Sequence, residues 1–162
     1  MAEMKDLCEI LLLLGMRRAS KQLFSAAEGN WVESDEGYAY FPIDTTLVRS
    51  VMGEFALDVP DDVELNLICF KKRMPAHRHL HSDGAILWKH VGEHRPSSWG
   101  MALGHADGKD WKIDEPYAEE VTAMPRGTWH DFSPGGSTFL YGITANSPPL
   151  DDADIEYMPQ ST

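Results

Sequence analysis

The sequence predicts an all-β antiparallel barrel behind one N-terminal helix. Short runs rich in β-branched and aromatic residues recur along the chain after Gly29. Turn residues separate them, at Pro60-Asp61-Asp62, Ser82-Asp83-Gly84, Asp107-Gly108, Pro134-Gly135-Gly136 and Pro148-Pro149. Ahead of these runs, Leu7, Ile10, Leu11, Leu14, Arg18, Leu23 and Phe24 fall roughly on a helical period of about 3.6 residues. Many short strands at close spacing point to an antiparallel sandwich or barrel, not a parallel sheet with crossover helices.

In chain order, the helix is expected over residues 3–28, with Glu28-Gly29-Asn30 as its stop. Its middle is apolar enough that it must pack on the main body or on a second subunit. The strand runs are "GYAYFPI", "TLVRSVMGEFALDV", "VELNLICFKK", "AILWKHV", "SWGMALG", "DWKI", "EEVTAM" and "STFLYGITAN". The tail "PPLDDADIEYMPQ" is proline-rich and acidic, and reads as a surface strap or a loosely ordered end. This divides the chain into a helical segment (1–30), a barrel (31–147) and a tail (148–162). At 162 residues it is expected to form a single domain with a real core.

Composition narrows the function. A formal net charge of -12 repels phosphate backbones and anionic membrane surfaces, so neither nucleic acid nor membrane is an expected partner. "ILLLLGM" (Ile10 to Met16) follows acidic Glu3, Asp6 and Glu9 and is far shorter than the ~20 residues of a membrane span. Cys8 and Cys69 are the only cysteines and read as thiols of a cytoplasmic protein. A small-molecule substrate and a homodimeric partner are the expectations that remain.

The chemistry concentrates in "KKRMPAHRHLHSDGAILWKHVGE", residues 71 to 93. His77, His79 and His81 stand at alternate positions, so a strand would project all three rings to one face. Three neutral imidazoles facing one cavity make a good start on a metal site. A later stretch, "MPRGTWHDFSPGG", places His130 after a turn made by Pro125 and Gly127. Such a turn delivers His130 to the start of a strand across the barrel.

Together the segments Pro75-x-His77-x-His79-x-His81 and Pro125-x-Gly127-x-x-His130 resemble the two motifs of the cupin superfamily. The second is the nearer match, although Pro134 stands where the family has asparagine. The resemblance covers roughly residues 40 to 145. It implies a jelly-roll barrel with one divalent metal, held by two histidines and a glutamate of the first motif and the histidine of the second. The first motif fits in two registers. Counting back from Gly92 pairs His79 with His81 and puts Ala85 at the carboxylate position. Starting from Pro75 pairs His77 with His79 and puts Asp83 there. A two-residue shift keeps the same face, so alternation does not choose between them. Asp83-Gly84 is also an ordinary turn pair, which favours an all-histidine set of His79, His81 and His130 with His77 nearby.

The resemblance to three-histidine members implies an oxygenase acting on a small chelating substrate, an enol or β-dicarbonyl, with Fe(II) preferred and Zn, Mn, Ni or Cu as alternatives. Metal-assisted isomerisation or lyase chemistry, or a non-catalytic sensing module, are the competing readings. Tyr38, Tyr40, Tyr117 and Tyr141 are candidates to move a proton. Trp88, Trp99, Trp111, Trp129, Met101 and Met124 are candidates to line the cavity. Arg78 is expected on the outer face, Arg126 either at an anionic substrate or in a surface pair, and His90, His94 and His105 in surface loops.

Overall fold

The computed structural model of the chain describes residues 1–55, 57–89, 99–104, 111–114, 120–134 and 139–159. The expected N-terminal helix is two helices, α1 (Met4–Leu14) and α2 (Arg17–Ala27). The Asp6 carboxylate accepts from the Glu3 backbone N–H at 3.0 Å, which starts α1 by satisfying a free donor. Leu7, Ile10, Leu11 and Leu14 then form its buried stripe. The break comes at Gly15. A Cβ there would lie 1.9 Å from Leu87 Cδ2, so only glycine lets the corner press onto the strand beneath. The Lys89 ammonium donates to the Gly15 carbonyl at 3.0 Å and caps the end of α1.

The described strands are β1 (Val32–Glu33), β2 (Tyr38–Pro42), β3 (Glu64–Phe70), β4 (His77–His79), β5 (Asp83–Lys89), β6 (Trp99–Gly104), β7 (Trp111–Asp114), β8 (Val121–Met124), β9 (His130–Pro134), β10 (Leu140–Ser147) and β11 (Ile155–Tyr157). They form two antiparallel sheets, in the orders β1-β2-β3-β10-β5-β8 and β11-β4-β9-β6-β7. One expected strand is a helix instead. In "TLVRSVMGEFALDV", Thr45–Met52 forms α3, because the Asp44 carboxylate caps it through the Leu47 N–H at 2.7 Å. Val48, Val51 and Met52 are its buried face, the spacing of a helix and not of a strand.

The larger sheet is covered on both faces. Leu65, Leu67, Ala85, Leu87, Ile143 and Ala145 point toward the helices and join the core of α1, α2 and α3. Their neighbours along the same strands, Phe70, Ile86, Trp88 and Leu140, point into the barrel and pack with Met74, Met124 and Phe132. Strict alternation thus divides one sheet between two cores. Trp88 is fully buried in the inner one, with its indole N–H donating to Thr122 Oγ1 at 3.0 Å. Among the described residues, no helix is long and apolar enough to cross a membrane.

The tail is more than a loose end. After a 3-10 turn at Asp152–Asp154, β11 pairs antiparallel with β4, setting Ile155 opposite His79 and Tyr157 opposite His77. The acidic terminus therefore completes the wall that carries the histidines.

Leu87 supports the α1–α2 corner at 1 % exposure. Leu87→Ala should lower unfolding free energy by roughly 2–5 kcal/mol, and removing the α3 cap with Asp44→Ala by about 1 kcal/mol. Urea denaturation measures both. Equal losses in the two variants would contradict this account of the core.

Candidate metal centre

His77 and His79 are the ends of β4, and His130 opens β9, the strand beside it. His77 and His130 stand directly opposite each other in the β4–β9 pairing. The rings gather closely, with centroids 4.3 Å apart for His77 and His130 and 5.1 Å for His79 and His130. One nitrogen from each of the three lies within 4.8 Å of the others. All three side chains are buried.

The turn before β9 aims the last of them. Gly127, at φ +79°, takes the left-handed backbone that closes Pro125-Arg126-Gly127-Thr128, with Thr128 N–H donating to Pro125 O at 3.1 Å. Gly127 N–H also donates to the His79 carbonyl at 2.8 Å, tying the two motifs together. His77 Nδ1 bonds the Pro75 carbonyl at 2.9 Å, and His130 Nδ1 bonds the Thr128 carbonyl at 3.0 Å. A carbonyl only accepts, so each Nδ1 carries the proton and each Nε2 presents a lone pair. His130 Nε2 is buried with no hydrogen-bond partner. A buried imidazole nitrogen left in this state is what a cation would satisfy.

Burial also keeps the rings uncharged. It holds the His77 pKa below its ordinary value, and it lowers His79 from 6.5 to about 4, with neighbouring His77 adding to the shift. His130 lies well below the ordinary value through burial, then the presence of His77 and His79. The neutral form is the ligating form.

The structure does not bring His81 to these three, so the group that gathers differs from the favoured set of His79, His81 and His130. β4 ends at His79, so the alternation stops one step before His81. The buried Asp154 carboxylate accepts from the backbone N–H of His81 at 2.6 Å and of Ser82 at 3.1 Å, and bonds His81 Nδ1 at 2.9 Å. These bonds turn the chain outward, and the His81 ring is 77 % exposed. The other register pairs His77 with His79, which the structure does bring together, but Asp83 does not face the histidines. Its carboxylate takes the backbone N–H of Arg126 at 2.9 Å and Nη2 at 2.7 Å. That guanidinium holds the Asp83 carboxyl below its usual range. Arg126 is therefore half of a pair that docks the Gly127 turn. Arg78 lies on the outer face as expected, bonded to Glu156 at 2.6 Å and stacked 4.6 Å from the Trp129 ring centroid.

The histidines open into a cavity of about 260 Å³ between the sheets. Of the aromatic residues and methionines expected to line it, Met124 does; Trp88 packs beneath it and Trp129 serves Arg78. The Trp99, Met101 and Trp111 side chains, and His90, His94, His105 and Tyr117, lie outside the described residues. Tyr38 and Tyr40 line the cavity, whereas Tyr141 packs against Phe24 and Trp31 on the helical side. Sequence reasoning missed Phe70, Phe132 and Tyr157, which do line it. For Tyr157 the signal was available: "IEY" is a short β-prone run inside the acidic tail.

No family model matches the chain, and no curated protein does. Its fold is nevertheless found among solved structures. A hypothetical protein from Leishmania major is 14 % identical, with a TM-score of 0.57 over 83 % of this chain and 85 % of that one. The capsular polysaccharide assembling protein CapF from Staphylococcus aureus is 16 % identical, with a TM-score of 0.54 over 79 % of this chain. The chain spans about a third of the CapF length, 31 %. Oxalate oxidase in complex with the substrate analogue glycolate is 18 % identical, with a TM-score of 0.50 over 77 % of this chain and 57 % of that one. These likenesses speak to the fold, and the architecture is the cupin-like antiparallel barrel with an N-terminal helical segment.

His77→Ala, His79→Ala and His130→Ala should each lose most bound metal, measured by elemental analysis of protein purified without a chelating tag. His81→Ala and Asp83→Ala should retain it. Loss in either of the latter two would return that residue to the coordination shell.

A pH dependence follows for the metal-free protein. Folded His79 refuses a proton down to about pH 4, whereas the unfolded chain takes one near 6.5. The unfolded state binds more protons within that window, so stability falls as pH falls through it. Denaturation midpoints above pH 6.5 should therefore exceed those near pH 4, and His79→Gln should flatten the difference.

Proposed function

We propose that this chain is a mononuclear divalent-metal protein of the cupin type, working as an oxygenase on a small chelating substrate such as an enol or β-dicarbonyl. The observation that carries the reading is the buried His77–His79–His130 group, with an unpartnered His130 Nε2 in a cavity of small-molecule size. The donor set is three imidazoles with no carboxylate in the group found among the described residues, which suits Fe(II), Zn, Ni or Cu better than the oxygen-preferring Mn. When bound, such an ion supplies Lewis acidity, open coordination positions and, as Fe(II), redox chemistry toward dioxygen.

The chain's own residues prepare the setting. The Pro75 and Thr128 carbonyls fix the His77 and His130 tautomers. Phe70, Phe132, Met74 and Met124 form the apolar side of the cavity and keep water from that side of the substrate. One observation favours a second reading, isomerase or lyase chemistry without dioxygen. The Tyr157 hydroxyl donates to the Glu36 carboxylate at 2.6 Å on the cavity wall, and its ring lies 5.9 Å from that of His77. Burial, then Glu36, raises the Tyr157 pKa, so the phenol stays protonated and bonded to Glu36, and in this reading the Glu36 carboxylate is the group that takes a substrate proton.

Turnover with defined metal, with and without air, separates the two. Oxygen uptake matched to substrate loss is the expected result; equal anaerobic turnover would favour the isomerase or lyase. Leu12, Leu13 and Met16 remain exposed at the α1–α2 corner, and we propose this patch as the contact of a homodimer. Sedimentation at micromolar concentration should show the dimer, and a monomer alone would count against it.

A further inference from the structure

The metal reading says what the inner end of the cavity holds, and the outer wall carries a further demand. Glu36, Glu64, Asp151 and Asp152 all line the cavity, and none of its described lining residues is lysine or arginine. Three of these four carboxylates are held by the fold. Glu64 accepts from the Leu150 N–H at 3.0 Å, Asp151 accepts from the Asp154 N–H at 3.0 Å, and Glu36 accepts from Tyr157. Each keeps further lone pairs, since a carboxylate offers about four acceptor sites. Thr144 spends its hydroxyl proton on the Asn66 carbonyl at 3.3 Å, which leaves its oxygen as an acceptor too. Beside the neutral Tyr38, Tyr40, Asn66 and Asn146, the charged groups of the wall are therefore all carboxylates, and the wall carries negative charge. At the inner end stands the unpartnered His130 Nε2, 1 % exposed, the buried group that marks this cavity as a ligand site.

Acceptors are satisfied by donors, and clustered carboxylates repel a carboxylate or a phosphate. Resting on the metal-cavity reading, we infer that the ligand presents hydroxyl or ammonium groups to the outer wall while its chelating atoms face the histidines. A small polyol-like or amine-bearing molecule fits, and one with an anionic outer end does not. Because the tail supplies Asp151 and Asp152, the C-terminal segment is a specificity element as well as a wall.

The test changes charge without changing shape. Glu64→Gln, Asp151→Asn and Asp152→Asn, combined, keep the acceptor oxygens used by Leu150 and Asp154. Co(II) uptake is measured first on the wild type and the triple variant, because it reports on the metal reading alone. Absence of uptake refutes that reading, and the ligand titrations are then read on the metal-free cavity. Glycolate and 2-aminoethanol, similar in size and opposite in charge, are titrated by calorimetry into both proteins. The ratio of the glycolate Kd to the 2-aminoethanol Kd should exceed one in the wild type and fall about tenfold or more in the variant. A wild type with no preference for 2-aminoethanol, or a ratio unchanged in the variant, would overturn the inference. Single Asp152→Asn, at a carboxylate that makes no hydrogen bond among the described residues, repeats the comparison if the triple variant fails to fold, and its ratio should shift in the same direction.

Discussion

The hydrogen bond from Gly127 N–H to the His79 carbonyl joins the two halves of the site, and the rest of the centre depends on that join. It holds the turn that launches β9 against the strand that carries His77 and His79. Around it the fold adds independent restraints on the same geometry. Asp83 grips Arg126 within that turn, and the Pro75 and Thr128 carbonyls lock two of the rings. Asp154 ends β4 by taking the N–H groups that follow it. None of these groups is itself in the histidine cluster. They act on the three histidines by position, holding the rings from outside the cluster.

Two cores make such a site affordable in stability terms. The larger sheet sends Leu65, Leu67, Leu87 and Ile143 to the helices, and this outer core is almost entirely apolar. The inner core is left with Phe70, Trp88, Phe132 and Leu140 on one side and the imidazoles on the other. Burying three neutral rings, with His130 Nε2 left unpartnered, works against folding. The helix-covered face offsets that cost at a distance, at roughly 1.5–3 kcal/mol for each large apolar side chain removed from water. The cavity then stays open because Asn66, Thr144 and Asn146 on the inner face do not fill it with apolar bulk.

The strand runs were legible because β3 alternates, β5 and β10 are short and almost wholly buried runs, and Gly, Pro and Asp punctuate the chain between them. α3 was misread because Leu47, Val48, Val51 and Met52 include β-branched residues that suit either element. The deciding feature was the Asp44 cap, whose bond to Leu47 is a local fact with a readable sequence signature. The break at Gly15 had no such signature. Its reason is Leu87, far along the chain, and a glycine inside an apolar helix does not announce what presses on it. β11 showed in the sequence only as the short run Ile155-Glu156-Tyr157, and that run becomes an edge strand only where a partner edge is waiting.

For the site, the sequence by itself determined that His77, His79 and His130 are present on strands or at their starts, and that a proline–glycine turn precedes the last. It also determined that alternate residues share a face. What it did not determine is where the strand stops. Side-chain period is local, and a strand's end is fixed by whatever takes its next backbone donors. Here that is Asp154, a tail residue remote in sequence, which takes the N–H groups of His81 and Ser82 and swings His81 out to solvent. The same tail brings Tyr157 beside His77 and sets Asp151 and Asp152 at the cavity wall. Which histidines meet, and what faces them, are settled by pairings between distant segments, and only the folded chain brings those segments within hydrogen-bonding reach.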